Sequence, residues 1–153
     1  MVRIVKADLE GLDAAAKEVA RGGLVCYPTD TVYGLGCDPL NPAAVERTVA
    51  AKSSPKKALP VLVRSREDAE RLVYFTRTSE KLVARYWPGP LTIVLPARDQ
   101  VPSILAPDRT LGVRSPKHAI CLQLLGLCSG YLVGTSANLS GKPAATTPDE
   151  ITS

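Results

Sequence analysis

The chain has 153 residues, 45% of them hydrophobic and 22% charged, with a formal net charge of +4. That balance fits one globular domain, large enough to bury roughly two-thirds of its unfolded surface. No apolar stretch approaches the length of a membrane span, and the start MVRIVKADLEG lacks the apolar core of a signal peptide. The charge is compatible with a nucleotide or RNA partner without requiring one. Aromatics are scarce, so the interior must be built from Val, Leu, Ile and Ala. Cys26, Cys37, Cys121 and Cys128 have no metal-ligand spacing, and His118 is the only histidine. They read as buried free thiols in a reducing, cytoplasmic compartment.

In chain order, Leu12, Ala15, Ala16 and Val19 recur at helical spacing over 11–21, and Gly22-Gly23 stops that helix. Leu24-Val25-Cys26 is a short buried strand. Asn41 and Pro42 open a helix through Ala51 with a capping side chain and proline at the first helical position. A nearly continuous apolar strand covers 59–63. Ser65 and Asp68 resemble a capping box for a helix toward Leu72, and a further helix runs over 78–86 until Pro88-Gly89-Pro90 halts it.

Leu91, Ile93 and Leu95 alternate with Thr92 and Val94 in a strand closed by Pro96. The segment 97–109 is a long loop expected to cross the surface. Residues 111–114 form a strand, Ser115-Pro116 caps a helix through Leu125, and 131–135 return as a strand. Thr147-Pro148-Asp149-Glu150 announces one more helix, which only Ile151-Thr152-Ser153 follow. There is no internal repeat or interdomain linker.

Two of these strands empty into polar, glycine-bearing loops. The first leads into Tyr27-Pro28-Thr29-Asp30-Thr31-Val32-Tyr33-Gly34-Leu35-Gly36, the second through Gly134 into Thr135-Ser136-Ala137-Asn138-Leu139-Ser140-Gly141. Loops at the ends of core strands are where α/β proteins place ligand sites. If the two strands lie side by side, the loops form one composite pocket. Between them, Lys52-Ser53-Ser54-Pro55-Lys56-Lys57 concentrates ammonium groups beside small hydroxyl donors, a combination suited to phosphate.

With Ala58-Leu59-Pro60-Val61-Leu62-Val63, Trp87-Pro88-Gly89-Pro90-Leu91-Thr92, Leu111-Gly112-Val113-Arg114-Ser115-Pro116 and GTSANLSGKPAATT, these segments resemble the YrdC-like family, the threonylcarbamoyl-adenylate synthases. The resemblance covers nearly the whole chain in the family's order. It implies an α/β fold, a twisted mixed sheet with flanking helices and a basic concave site. It also implies a nucleotidyltransferase that joins L-threonine, bicarbonate and ATP, with Mg2+, and releases pyrophosphate. The product serves the threonylcarbamoyl-adenosine modification of tRNA. Implied partners are therefore tRNA or double-stranded RNA and tRNA-modification proteins.

Carried over residue by residue, the resemblance gives threonine to Thr31, Arg114 and Gly134. It gives the nucleotide to Lys52, Ser54, Lys57, Thr110, Ser136, Asn138 and Ala144, and it assigns no protein nucleophile. Two positions depart from the family's pattern: Ser54 stands where arginine is usual, and Ala144 where serine is frequent. Serine offers one short donor in place of a charged fork, so phosphate affinity should fall. The family continues past the last helix to further elements that help close the site, so residues 1–153 are expected to be a single domain without that C-terminal segment. Two other readings stay open. One is a nonenzymatic nucleotide- or RNA-binding module, and the other a carbamoyl-transfer domain of the same fold.

Overall fold

The computed structural model describes residues 2–52, 58–139 and 141–152. Helix α1 (Leu9–Ala20) begins ahead of the apolar repeat because Asp8 caps it, its Oδ1 accepting from the Gly11 N–H at 2.9 Å. Gly22, at φ +84°, closes it in the left-handed region. Strand β1 (Val25–Tyr27) then pairs antiparallel with β2 (Gly34–Gly36), Val25 opposite Gly36 and Tyr27 opposite Gly34.

Helix α2 (Pro42–Ala51) has the expected cap, Asn41 Oδ1 accepting from Ala44 N–H at 3.2 Å. Next come β3 (Val61–Val63), the short α3 (Arg66–Glu70) capped by Ser65, and α4 (Arg77–Tyr86). A reciprocal Thr76–Ser79 box starts α4. They are followed by β4 (Ile93–Pro96), β5 (Thr110–Arg114), α5 (Ala119–Leu127), β6 (Tyr131–Val133), β7 (Thr135–Ser136) and α6 (Asp149–Thr152). Helix α5 is capped by His118, whose Nδ1 accepts from Cys121 N–H at 3.3 Å, and not by Ser115. The Ser115 hydroxyl is buried and donates to the Arg64 carbonyl at 3.2 Å.

The strands make two sheets. The expected mixed sheet has the order β4-β5-β3-β6, parallel only between β3 and β5. The second, β1-β2-β7, is small and wholly antiparallel. The β1 and β6 strands therefore do not lie side by side, which removes the premise on which their two loops would form a pocket. The loops meet by another route. Gly134 alone separates β6 from β7, and β7 pairs with β2, Ser136 opposite Gly34. The sheets are stitched by the Val133 N–H donating to the Cys37 carbonyl at 2.9 Å and by the Tyr27 hydroxyl donating to the Val133 carbonyl at 2.8 Å. At Gly36 a Cβ would sit 1.9 Å from that same Val133 oxygen.

Strand alternation divides the core. Val61, Val63, Leu95, Leu111, Val113 and Val133 face one buried cluster with Leu72, Val73 and Val45. Leu62 and Leu132 point the other way, into a cluster with Tyr27, Leu12, Val19, Leu124 and Leu125 from α1 and α5. The 97–109 segment does not simply cross the surface. Val101, Leu105 and Ala106 are buried in the first cluster, and Arg109 closes the loop by donating to the carbonyls of Val101 (2.9 Å) and Arg98 (2.6 Å). Cys26 is exposed rather than buried, because alternation along β1 turns Tyr27 inward and Cys26 out; Cys37, Cys121 and Cys128 are buried as expected.

Candidate functional site

Helices α1 and α5 pack on the second face of the mixed sheet against Leu62 of β3 and Leu132 of β6. Beyond them the face is open, and alternation along β5 brings Thr110, Gly112 and Arg114 onto it, between the buried Leu111 and Val113. On the neighbouring β4, Val94 lies opposite Gly112 and is 65% exposed. At Gly112 the missing side chain leaves the floor low: a Cβ would first meet Thr92 Cγ2 at 3.3 Å and Pro60 Cβ at 3.7 Å. Gly134 borders the same floor, its N–H donating to the Pro60 carbonyl at 2.8 Å. It must be glycine because a Cβ would lie 2.5 Å from Leu62 Cγ.

Arg114 ends β5 and is held from two sides. Its Nε donates to the Gly89 carbonyl at 2.9 Å, and an Nη2 proton goes to Asp30 Oδ1. Asp30 also accepts from the Lys117 N–H through Oδ2, at 3.2 Å. The two side chains are 13% and 16% exposed although Asp30 as a whole residue is exposed, so this is a partly shielded ion pair. The Gly89 N–H in turn donates to the Ser115 carbonyl at 2.8 Å, and Trp87 Nε1 to the Leu91 carbonyl at 2.8 Å, so the Trp87–Thr92 segment acts as a brace behind Arg114. Burial, with a smaller push from the Asp30 carboxylate, lifts the nearby Cys121 thiol to about 12, keeping it neutral beside the pair.

Lys52, at the C-cap of α2, reaches across to the turn after β7. Its Nζ donates to the carbonyls of Ser136 (2.6 Å) and Asn138 (2.7 Å) and to Asn138 Oδ1 (2.7 Å). Ser136 Oγ donates to that same Oδ1 at 2.6 Å, and the Asn138 amide nitrogen donates to the Lys142 carbonyl. The turn is further pinned by Ala137 N–H to the Tyr33 carbonyl (2.8 Å), Tyr33 N–H to Ala145 (2.9 Å) and Ala145 N–H to Ala137 (3.2 Å). Ala144 sits beside this lattice.

The structure thus joins Lys52, Ser136 and Asn138 directly, with Gly134 leading into them and the 29–33 loop alongside. In that loop Thr31 is exposed, its hydroxyl 3.1 Å from that of Thr29, which donates to the Val32 carbonyl at 2.6 Å. Thr110 is not in contact with the others. It lies at the far end of β5, its hydroxyl donating to Asp108 at 2.7 Å, and shares only the open face with Arg114. Ser54 and Lys57 lie outside the described residues. Sequence reasoning offered the Asp30 carboxylate as a group that could position an amine, a hydroxyl or a metal-bound water, and missed that it holds Arg114. It stands inside the Thr29–Thr31 motif, but its partner is 84 positions away, and no local spacing reveals that.

Comparison with known proteins agrees with this fold. The family model Sua5_yciO_yrdC, described as "Telomere recombination", matches residues 17–153. A threonylcarbamoyl-AMP synthase of Pyrococcus abyssi is 40% identical over 140 residues, covering 90% of this chain and 41% of the relative. One from Halorhodospira halophila is 39% identical over 140 residues, covering 90% and 73%. The crystal structure of P. abyssi Sua5 complexed with L-threonine superposes with a TM-score of 0.89 at 37% identity, over 97% of this chain and 44% of that one. The chain therefore spans less than half the length of the Pyrococcus relative and about three-quarters of the Halorhodospira one. The chain belongs to the Sua5/YciO/YrdC family.

Proposed function

We propose that this chain forms threonylcarbamoyl-adenylate from L-threonine, bicarbonate and ATP, in support of tRNA modification in the cytoplasm. The observation that carries the reading is the partly shielded Arg114, steadied by Asp30 and Gly89 at the edge of an open sheet face. A guanidinium has five N–H donors in a planar fork, and two of Arg114's are given to these holders. The rest of the fork suits the carboxylate of an amino acid, which it can grip in bidentate fashion. Support for threonine comes from the relatives' name and from the threonine complex of P. abyssi Sua5.

In this reading bicarbonate gives up CO2 and hydroxide, and the threonine amine, near Thr31 and Gly134, adds to the CO2 to give a carbamate, its lost proton joining the hydroxide as water. A carbamate oxygen then bonds to the α-phosphorus of ATP as the bond to the β-phosphate oxygen breaks and pyrophosphate leaves. No protein nucleophile is required. The chain's task is to hold the reactants in line and exclude water. The nucleotide lies along the open face between the Ser136–Asn138 turn and Thr110, with Ala144 beside the turn and Ser54 and Lys57 contributing from the lysine loop. Among the described residues no group of three or more His, Cys, Asp or Glu side chains is placed to hold a metal ion. In this reading Mg2+ enters as part of the MgATP substrate, carried by the phosphates.

The test is pyrophosphate release from ATP, measured with threonine and bicarbonate added singly and together. Release that needs both supports the reading. Release without threonine refutes it, and binding of ATP with no release refutes it and favours a nucleotide-binding module.

A further inference from the structure

A lysine in a phosphate site is ordinarily taken to touch the phosphate. The geometry of Lys52 points elsewhere. An ammonium has three N–H donors and no acceptor. Here the Ser136 carbonyl, the Asn138 carbonyl and Asn138 Oδ1 all lie 2.6–2.7 Å from Nζ, and Ser136 Oγ stands at 3.4 Å. The residue is 8% exposed. Short contacts from a cation to carbonyl oxygens are charge-assisted and among the stronger hydrogen bonds, and these three match all the protons the group carries. The two carbonyls lie two residues apart on a turn that has little regular pairing of its own beyond β7. The side-chain oxygen sets the flip of the Asn138 amide, whose nitrogen then donates to the Lys142 carbonyl.

We propose that Lys52 is a positioning residue that clamps the Ser136–Asn138 turn to the end of α2, rather than a ligand of the phosphates. The proposal rests on the reading of that turn as part of the nucleotide site. Lys52 shapes the turn, and the turn with its hydroxyl and backbone groups meets the nucleotide. Ligand phosphates then draw their direct cationic contacts from other residues.

The test has a ligand-free arm and a binding arm. In Lys52→Met, amide exchange at Ala137 and Ala145 should quicken about tenfold or more, since charge-assisted bonds holding the turn are lost. The amides of β5 should be unchanged. Adenosine, which has no phosphate, and ATP should weaken by the same factor, and the salt dependence of ATP binding should keep its slope. Lys52→Arg retains the charge and guards against a folding failure. Its planar fork cannot follow a tetrahedral set of acceptors, so it too should lose adenosine. The clamp is overturned if the turn's exchange stays at the wild-type rate in Lys52→Met. It is also overturned if ATP alone weakens while adenosine holds, or if Lys52→Arg binds both like wild type. Failure of wild type to bind either adenosine or ATP removes the nucleotide reading instead, and the exchange arm still decides the clamp.

Discussion

Asp30→Asn isolates the ion pair that steadies Arg114. A fully exposed pair contributes about 0–1 kcal/mol, whereas removing one partner of a buried pair costs about 3–5 kcal/mol. With the two side chains 16% and 13% exposed, the pair lies between these limits, and a loss of about 2 kcal/mol is expected. Asparagine also cannot serve both of Asp30's partners. If its oxygen faces Arg114, its NH2 is turned toward the Lys117 N–H, which now bonds to Oδ2 at 3.2 Å. For a domain of this size the loss corresponds to a Tm lower by about 4–8 °C. The measurement is urea unfolding of Asp30→Asn, Arg114→Met and the double variant, which should give a coupling energy of about 1–2 kcal/mol. Because the groups are partly shielded, most of it should persist at high salt. A coupling below about 0.5 kcal/mol, or one that vanishes in 1 M NaCl, would show an ordinary surface pair, and the role given to Asp30 would fall.

Gly134→Ala places a Cβ 2.5 Å from Leu62 Cγ. Repacking that buried side chain should cost about 1–3 kcal/mol in urea unfolding and weaken threonine binding; an unchanged midpoint would mean that Leu62 yields freely. Tyr27→Phe keeps the ring but strips the Val133 carbonyl of its 2.8 Å donor at the join of the sheets, for about 1–2 kcal/mol with an unchanged m-value. Burial raises Cys121 and Cys128 from the usual 9.0 to about 12 and about 11. The protonated thiols are therefore favoured by the fold, and the stability they confer is complete below pH 9 and lost as pH rises toward those values. Urea midpoints should fall across that alkaline window, and Cys121→Ala should flatten the fall. At neutral pH a thiol reagent should label exposed Cys26 first, and the three buried thiols only on unfolding.

Much of the fold was legible because its signals are local. Asn41-Pro42 capped α2, and the apolar runs at 61–63 and 131–133 became the centre of the mixed sheet. Of the second sheet β1 was legible in Leu24-Val25-Cys26, but its partner β2 was not. Gly34-Leu35-Gly36 has none of the β-branched or aromatic residues that mark strands, and it pairs because the Tyr27 ring and the Val133 carbonyl need the space its glycines leave. His118 took the cap from Ser115 because the serine hydroxyl is spent on Arg64. At the site, the motifs named the right neighbourhoods but not the pairings. Lys52 reads as one of a run of lysines, and only the fold brings it to carbonyls 84 and 86 positions later.

The way β3 and β6 divide their side chains has a consequence for how the molecule responds to ligands. Val61, Val63 and Val133 belong to one apolar cluster, while Leu62 and Leu132, on the same strands, belong to the other. Neither cluster can come apart without pulling these strands away from its twin, so the two halves melt as one cooperative unit. Whatever binds the open face beside β5 draws on a sheet shared by both. Occupancy there is therefore felt as global resistance to unfolding, out to α1 and α2, rather than as local stiffening around the ligand.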